Sequence, residues 1–118
     1  MYEYNATCIR VVDGDTVDCV IDLGFSIHHK VRVRLAGIDA PESRTRDLDE
    51  KKRGLAAKDR VIEILNNNNS KFIIKTEYDR TGKYGRVIGT ILLSSENGES
   101  LNDLLVTEGH AVRRNYNS

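Results

Sequence analysis

The sequence predicts an α+β domain: a five-stranded antiparallel barrel, with a helix between strands three and four and a short helix near the C-terminus. Three observations predict it. Two apolar runs flank the Asp13-Gly14 pair, the pattern of a β-hairpin. Val31, Val33 and Leu35 alternate with Arg32 and Arg34, the period of a strand with one buried face. Leu55, Ala56, Val61, Ile62, Ile64 and Leu65 recur as on one side of a helix. Three strands, a helix, two strands and a final helix is the order of an OB-fold, an architecture that often holds nucleic acid without defining a function by itself.

The elements follow in order. Residues 4–12 and 16–23 read as strands around the Asp-Gly turn, and a third strand runs from about 25 to 35 after Gly24. Pro41, the only proline, ends strand character within Ala36-Gly37-Ile38-Asp39-Ala40-Pro41-Glu42. The polar run 43–53 reads as an exposed loop leading into a helix over 54–66, which the asparagines 66–69 stop. Strands follow at 71–78 and 85–93, joined by a turn through Asp79-Arg80-Thr81-Gly82. A short helix over 100–108 has Ser100 as N-cap and Gly109 at its end.

With 118 residues, the chain reads as a single domain, 1–118, able to bury a core without staples. Apolar residues make up 39% and charged residues 31%, the balance of a soluble globular protein. Net charge is zero, yet residues 1–27 hold five acidic side chains and one basic, while 28–60 hold ten basic and six acidic. That asymmetry sets a cation-attracting region beside an anion-attracting one. No apolar run has the length of a membrane span and no leader is recognisable, so a cytoplasmic location is expected. Cys8 and Cys19 have no His or Cys at ligand spacing and read as reduced sheet residues. His28 and His29 are adjacent in a strand and face opposite ways, which makes them poor joint ligands. The run Lys51-Lys52-Arg53 reads as a solvated helix start, with a role in attracting a nucleic-acid backbone as the alternative.

The chemistry gathers at breaks in regular structure. Asp15 follows the first turn, Arg34 ends strand three, Asp39 and Glu42 lie in the next loop, and Arg86 follows Tyr84-Gly85. Carboxylates at 15, 39 and 42 converge if the first three strands are neighbours. Hard oxygen donors without His or Cys suit Ca²⁺ rather than Zn²⁺. Two arginines beside them suit a phosphate, because the guanidinium fork matches its oxygens. A divalent cation, two arginines and a spare carboxylate are what phosphodiester hydrolysis requires.

Four segments carry a closer resemblance: Val12-Asp13-Gly14-Asp15-Thr16-Val17, Val33 to Glu42, Asp79 through Lys83-Tyr84-Gly85-Arg86, and Leu101-Asn102 through Glu108-Gly109-His110-Ala111. In this order and spacing, over Ala6 to about Arg113, the chain resembles the staphylococcal (micrococcal) nuclease, or thermonuclease, family. The resemblance implies an OB-fold, Ca²⁺-dependent phosphodiesterase acting on DNA and RNA and leaving 5′-hydroxyl and 3′-phosphate ends. It implies that Asp15, Asp39 and the Ala40 carbonyl bind the metal. Glu42 would hold the attacking water and act as general base, and Arg34 and Arg86 would grip the scissile phosphate. Lys83 and Tyr84 match positions that contact a neighbouring phosphate.

Departures from the family pattern are specific. Ala40 stands where the family has a threonine, which keeps the carbonyl and removes the hydroxyl. Arg113-Arg114-Asn115-Tyr116 replaces a segment with nucleotide-packing tyrosines, and the family's terminal helix is not matched. The expected protein is a monomeric, Ca²⁺-dependent nuclease with little sequence specificity, favouring single-stranded DNA or RNA. Two rivals remain: a non-catalytic OB-type module binding nucleic acid or protein, and a Ca²⁺-binding regulatory domain. The first would typically lack the carboxylates or the arginines, and the second would not need both arginines.

Overall fold

A computed structural model describes residues 2–77, 87–93 and 99–114. β1 (Tyr2–Asp13), β2 (Thr16–Asp22) and β3 (His28–Leu35) come first, then the two-residue β4 (Ile38–Asp39). Helix α1 (Leu48–Asn67) precedes β5 (Lys71–Glu77) and β6 (Val87–Leu92), and α2 (Leu101–Thr107) precedes the short β7 (Val112–Arg113). The strands close into a barrel in the order β1-β2-β3-β6-β5, with β5 returning to β1.

The barrel corrects one expectation: it is not purely antiparallel. β3 and β6 run parallel, pairing Val33 with Val87 and Leu35 with Gly89. Parity requires this. A closed ring with an odd number of strands cannot alternate direction at every neighbour, so one pair must run the same way.

Period two places Val17, Cys19 and Ile21 of β2 and Val31, Val33 and Leu35 of β3 inside the barrel. Phe72, Ile74 and Ile91 complete the wall, and Val61, Ile64 and Leu65 of α1 with Leu101 and Leu105 of α2 close its ends. Each such side chain taken out of water stabilises the fold by about 2 kcal/mol. Cys8 and Cys19 are register partners across β1 and β2, both as free thiols. Burial pushes the Cys19 thiol up to about 12 and raises that of Cys8, so neither is a nucleophile at neutral pH.

Helix α1 begins earlier than the polar loop reading of 43–53 allowed. Asp47 caps it, its carboxylate accepting from Asp49 N at 3.0 Å and Glu50 N at 3.2 Å. Asp49 and Glu50 then complement the helix dipole. Lys51, Lys52 and Arg53 are polar because they lie on the exposed face of the first turns, not because the chain is irregular there. Strand three also differs: residues 25–27 belong to the hairpin turn rather than to β3. Among the described residues, no helix is long and apolar enough to cross a membrane.

Asn102, buried at the start of α2, ties three parts of the chain together. Its Oδ1 accepts from Ile91 N at 3.2 Å, and its Nδ2 donates to Ala36 O at 2.9 Å and Gly89 O at 3.2 Å. Asn102→Leu removes that partner from the Ile91 amide and the Ala36 carbonyl, whereas Gly89 O keeps the Ala36 amide at 2.8 Å. A loss of about 3 kcal/mol is expected, read as a lower urea midpoint at unchanged slope.

Candidate active site

Asp15 sits where the first hairpin turn meets β2, and the close packing of that turn explains its place. A Cβ on Gly14 would meet Ala57 Cβ at 2.8 Å and Ala40 Cβ at 3.1 Å, so only glycine lets the turn lie between α1 and the loop after β4. Asp13 does more than turn the chain. Its Oδ1 accepts from both the amide and the hydroxyl of Ser43, fastening the 40–43 segment to the hairpin.

The register Thr16↔Arg34 sets Arg34 beside Asp15. Arg34 Nη2 stands 3.3 Å from Asp15 Oδ2 and 2.9 Å from Asp39 Oδ1, and Arg34 Nη1 donates to Leu35 O at 3.2 Å. Asp15, only 7% exposed, also accepts from Ala40 N at 2.8 Å and Thr16 Oγ1 at 3.0 Å. Asp39 is held from behind, because β4 pairs with β7 and Arg114 N donates to Gly37 O at 2.9 Å. Arg114 Nη1 thereby comes within 3.3 Å of Asp39 Oδ2. Two carboxylates thus converge on one guanidinium nitrogen, the charge arrangement that a hard cation also satisfies.

Asp39, Ala40 and Glu42 line an open cleft of about 690 Å³, together with Glu50, Arg53 and Arg114. Glu42 is exposed on its rim. The backbone of Glu42 and Ser43 rests directly on α1 at Gly54, where a Cβ would lie 2.2 Å from Glu42 O and 2.7 Å from Ser43 N. A second cavity, about 480 Å³ and lined by Asn5, Lys71, Phe72 and Leu93 among others, carries none of this constellation.

Of the residues the sequence singled out, Asp15 and Asp39 both touch Arg34 and Asp15 touches Ala40; Glu42 lines the cleft with Asp39 and Ala40, whereas Asp15 and Arg34 do not line it. Lys83, Tyr84 and Arg86 lie outside the described residues. Sequence reasoning missed the supporting roles of Asp13, Gly54 and Arg114. A glycine inside a helix is a packing signal, and Gly54 was readable on that ground.

The sequence pattern described as "Staphylococcal nuclease homologue" matches residues 32–118. The chain belongs to the staphylococcal nuclease family. It is 29% identical to the micrococcal nuclease of Shigella flexneri over 120 residues, covering 97% of this chain and 60% of that protein. It is 34% identical to the thermonuclease of Staphylococcus intermedius over 109 residues, 91% of this chain and 58% of the relative. It is also 33% identical to Protein ParB of Escherichia coli over 94 residues, 80% of this chain and 45% of that protein. The chain spans about half the length of these relatives.

Among the described residues, no group of three or more His, Cys, Asp and Glu side chains is placed to hold an ion. What the described site offers a cation is two neighbouring carboxylates, those of Asp15 and Asp39. The donor chemistry fits: the carboxylates already share one positive charge, and every donor is a hard oxygen.

Proposed function

We propose that the chain acts as one nuclease domain, a monomeric Ca²⁺-dependent phosphodiesterase that cleaves single-stranded DNA or RNA with little sequence preference. The observation that carries this reading is the convergence of Asp15 and Asp39 on one nitrogen of Arg34, beside a cleft rimmed by Glu42. Asp15, Asp39 and the Ala40 carbonyl would hold the ion, which supplies Lewis-acid polarisation of the phosphate.

The chain's own residues do the rest. Glu42 orients a water and takes its proton as the water oxygen bonds to phosphorus. The bond from phosphorus to the 5′ oxygen breaks, that oxygen takes a proton from solvent water, Glu42 returns its proton to solvent, and the ends are a 3′-phosphate and a 5′-hydroxyl. Arg34, already fixed by its carboxylate and carbonyl partners, stabilises the charge that grows on the equatorial oxygens, and Arg86 shares that role. Lys83 and Tyr84 contact the adjoining phosphate. The relatives named as nucleases support this chemistry, and the intact carboxylate and arginine set supports it further.

The test is hydrolysis of heat-denatured DNA and of RNA with Ca²⁺, with EDTA, and with Glu42→Gln beside the wild type. Cleavage should require Ca²⁺ and fall by about 10²- to 10⁴-fold in Glu42→Gln. A folded wild type that binds strands without cutting them would replace this reading with the binding module.

A further inference from the structure

The tip of the β2–β3 hairpin carries an apolar side chain that the barrel does not use. Phe25 is 98% exposed, with Leu23 and Ile27 beside it at 42% and 55%. Its backbone is held at φ 56°, followed by Ser26 at φ 62°, in a tight turn closed by Ile27 N donating to Gly24 O at 2.9 Å. A bulky residue is strained in that region, and such strain gathers where a side chain must be presented.

The outer side of β3 carries a line of basic side chains from this tip to Arg34. On β3, Val31, Val33 and Leu35 point into the barrel, so His28, Lys30, Arg32 and Arg34 share the outer side. Arg32 makes a two-point contact with Asp18, at 2.8 and 3.2 Å. Arg10 is the register partner of that same Asp18, and Lys30 lies two positions before Arg32 on the same face. The Asp18 carboxyl is held below its usual range by Arg32 first, with Arg10 and Lys30 adding to it. Asp22, the register partner of His28, adds a second carboxylate on this side, so Arg10, Lys30 and Arg32 outnumber Asp18 and Asp22 by one positive charge. The stripe ends at Arg34, which touches both candidate metal-binding aspartates.

We infer that this face is an extended subsite for a single nucleic-acid strand, running from Arg34 along β3 to Phe25, on which a base stacks. The inference rests on the nuclease reading above and adds where one arm of the substrate lies. Arg34 lies six positions beyond His28, about 20 Å of strand. A stacked single strand advances about 3.4 Å per nucleotide, so an arm of about six nucleotides reaches the tip. A lipid surface fits less well. Asp22 sits at the base of the turn with its Oδ1 accepting from Gly24 N at 2.8 Å, and the cations lead away from the tip in a line instead of ringing it.

Anisotropy of labelled oligothymidylates in EDTA separates this from hydrolysis. Phe25→Asn removes the aromatic face while keeping a residue that tolerates positive φ. The advantage of a 12-nucleotide strand (about twice the reach needed) over a trinucleotide should fall about tenfold in that variant. Lys30→Gln should lower the salt dependence of 12-mer binding by about 0.7 in log–log slope. Equal weakening of both lengths, or no change in either variant, or a wild type without preference for the longer strand, overturns the inference. So does loss of binding to phosphatidylglycerol vesicles in Phe25→Asn with strand binding intact. Phe25-dependent strand binding without any cleavage would sink the nuclease reading and leave this subsite standing.

Discussion

On the proposed mechanism, Arg34→Ala should lower the rate of Ca²⁺-supported cleavage by about 10³-fold or more. The magnitude follows from losing a positioned cation at the phosphate in a site partly closed to water. The substitution also removes the charge shared by Asp15 and Asp39, at 3.3 and 2.9 Å. Because Asp15 is nearly buried, the metal-free variant should be less stable than wild type by about 2 kcal/mol. A divalent cation offsets that repulsion, so added Ca²⁺ should raise the melting temperature of Arg34→Ala by more than that of the wild type. Steady-state kinetics and thermal melts with and without Ca²⁺ measure the two effects separately. Activity within tenfold of wild type would remove Arg34 from the chemistry. An identical Ca²⁺ shift in both proteins would mean the ion binds away from Asp15 and Asp39.

Gly54→Ala should destabilise the protein by about 2 kcal/mol, although alanine is the better helix former by about 1 kcal/mol. The reason is contact with backbone rather than with a movable side chain. The new methyl would lie 2.2 Å from Glu42 O, 2.4 Å from Glu42 C and 2.7 Å from Ser43 N. Either α1 moves away from the 42–43 segment or that segment moves off the helix, and both displace Glu42. A shift of about 1 Å in a water-orienting carboxylate lowers turnover by about a hundredfold. On the role proposed for Glu42, Gly54 would be a positioning residue acting through it. In the pair Gly54→Ala and Glu42→Gln, the double variant should be little slower than Glu42→Gln alone. Independent, multiplying losses in kcat would show that Gly54 affects the site by another route.

The residues of the site differ in how they could be read. Asp15, Arg34, Asp39 and Glu42 stand at or beside strand ends, where a charged side chain has no packing reason to be, and their types pointed to the proposed chemistry, whereas Ala40 was implied only by the family resemblance. Gly54 and Asn102 announced nothing so direct, because their contacts are with backbone atoms distant in the chain, at Glu42, Ala36 and Gly89. The start of α1 was misplaced for a related reason. Its first turns face water, so apolar periodicity is silent there and only the Asp47 cap marks the boundary. In the β2–β3 hairpin the same signal misled. Phe25 and Ile27 continue the alternation of a strand, yet both are exposed beyond the sheet.

Local pattern determined the five barrel strands, the amphipathic helix, the short α2 with its Ser100 cap, and the inventory of carboxylates and arginines, because each depends on residues a few positions apart; it did not show β4 or β7. Tertiary structure decided the rest. It set the parallel β3–β6 pair, which follows from closing five strands into a ring. It set the meeting of Asp15 with Asp39 across Arg34, which depends on the β2–β3 register and on β7 bracing β4. Charge and periodicity are properties of neighbours in sequence, whereas convergence is a property of how the sheet closes.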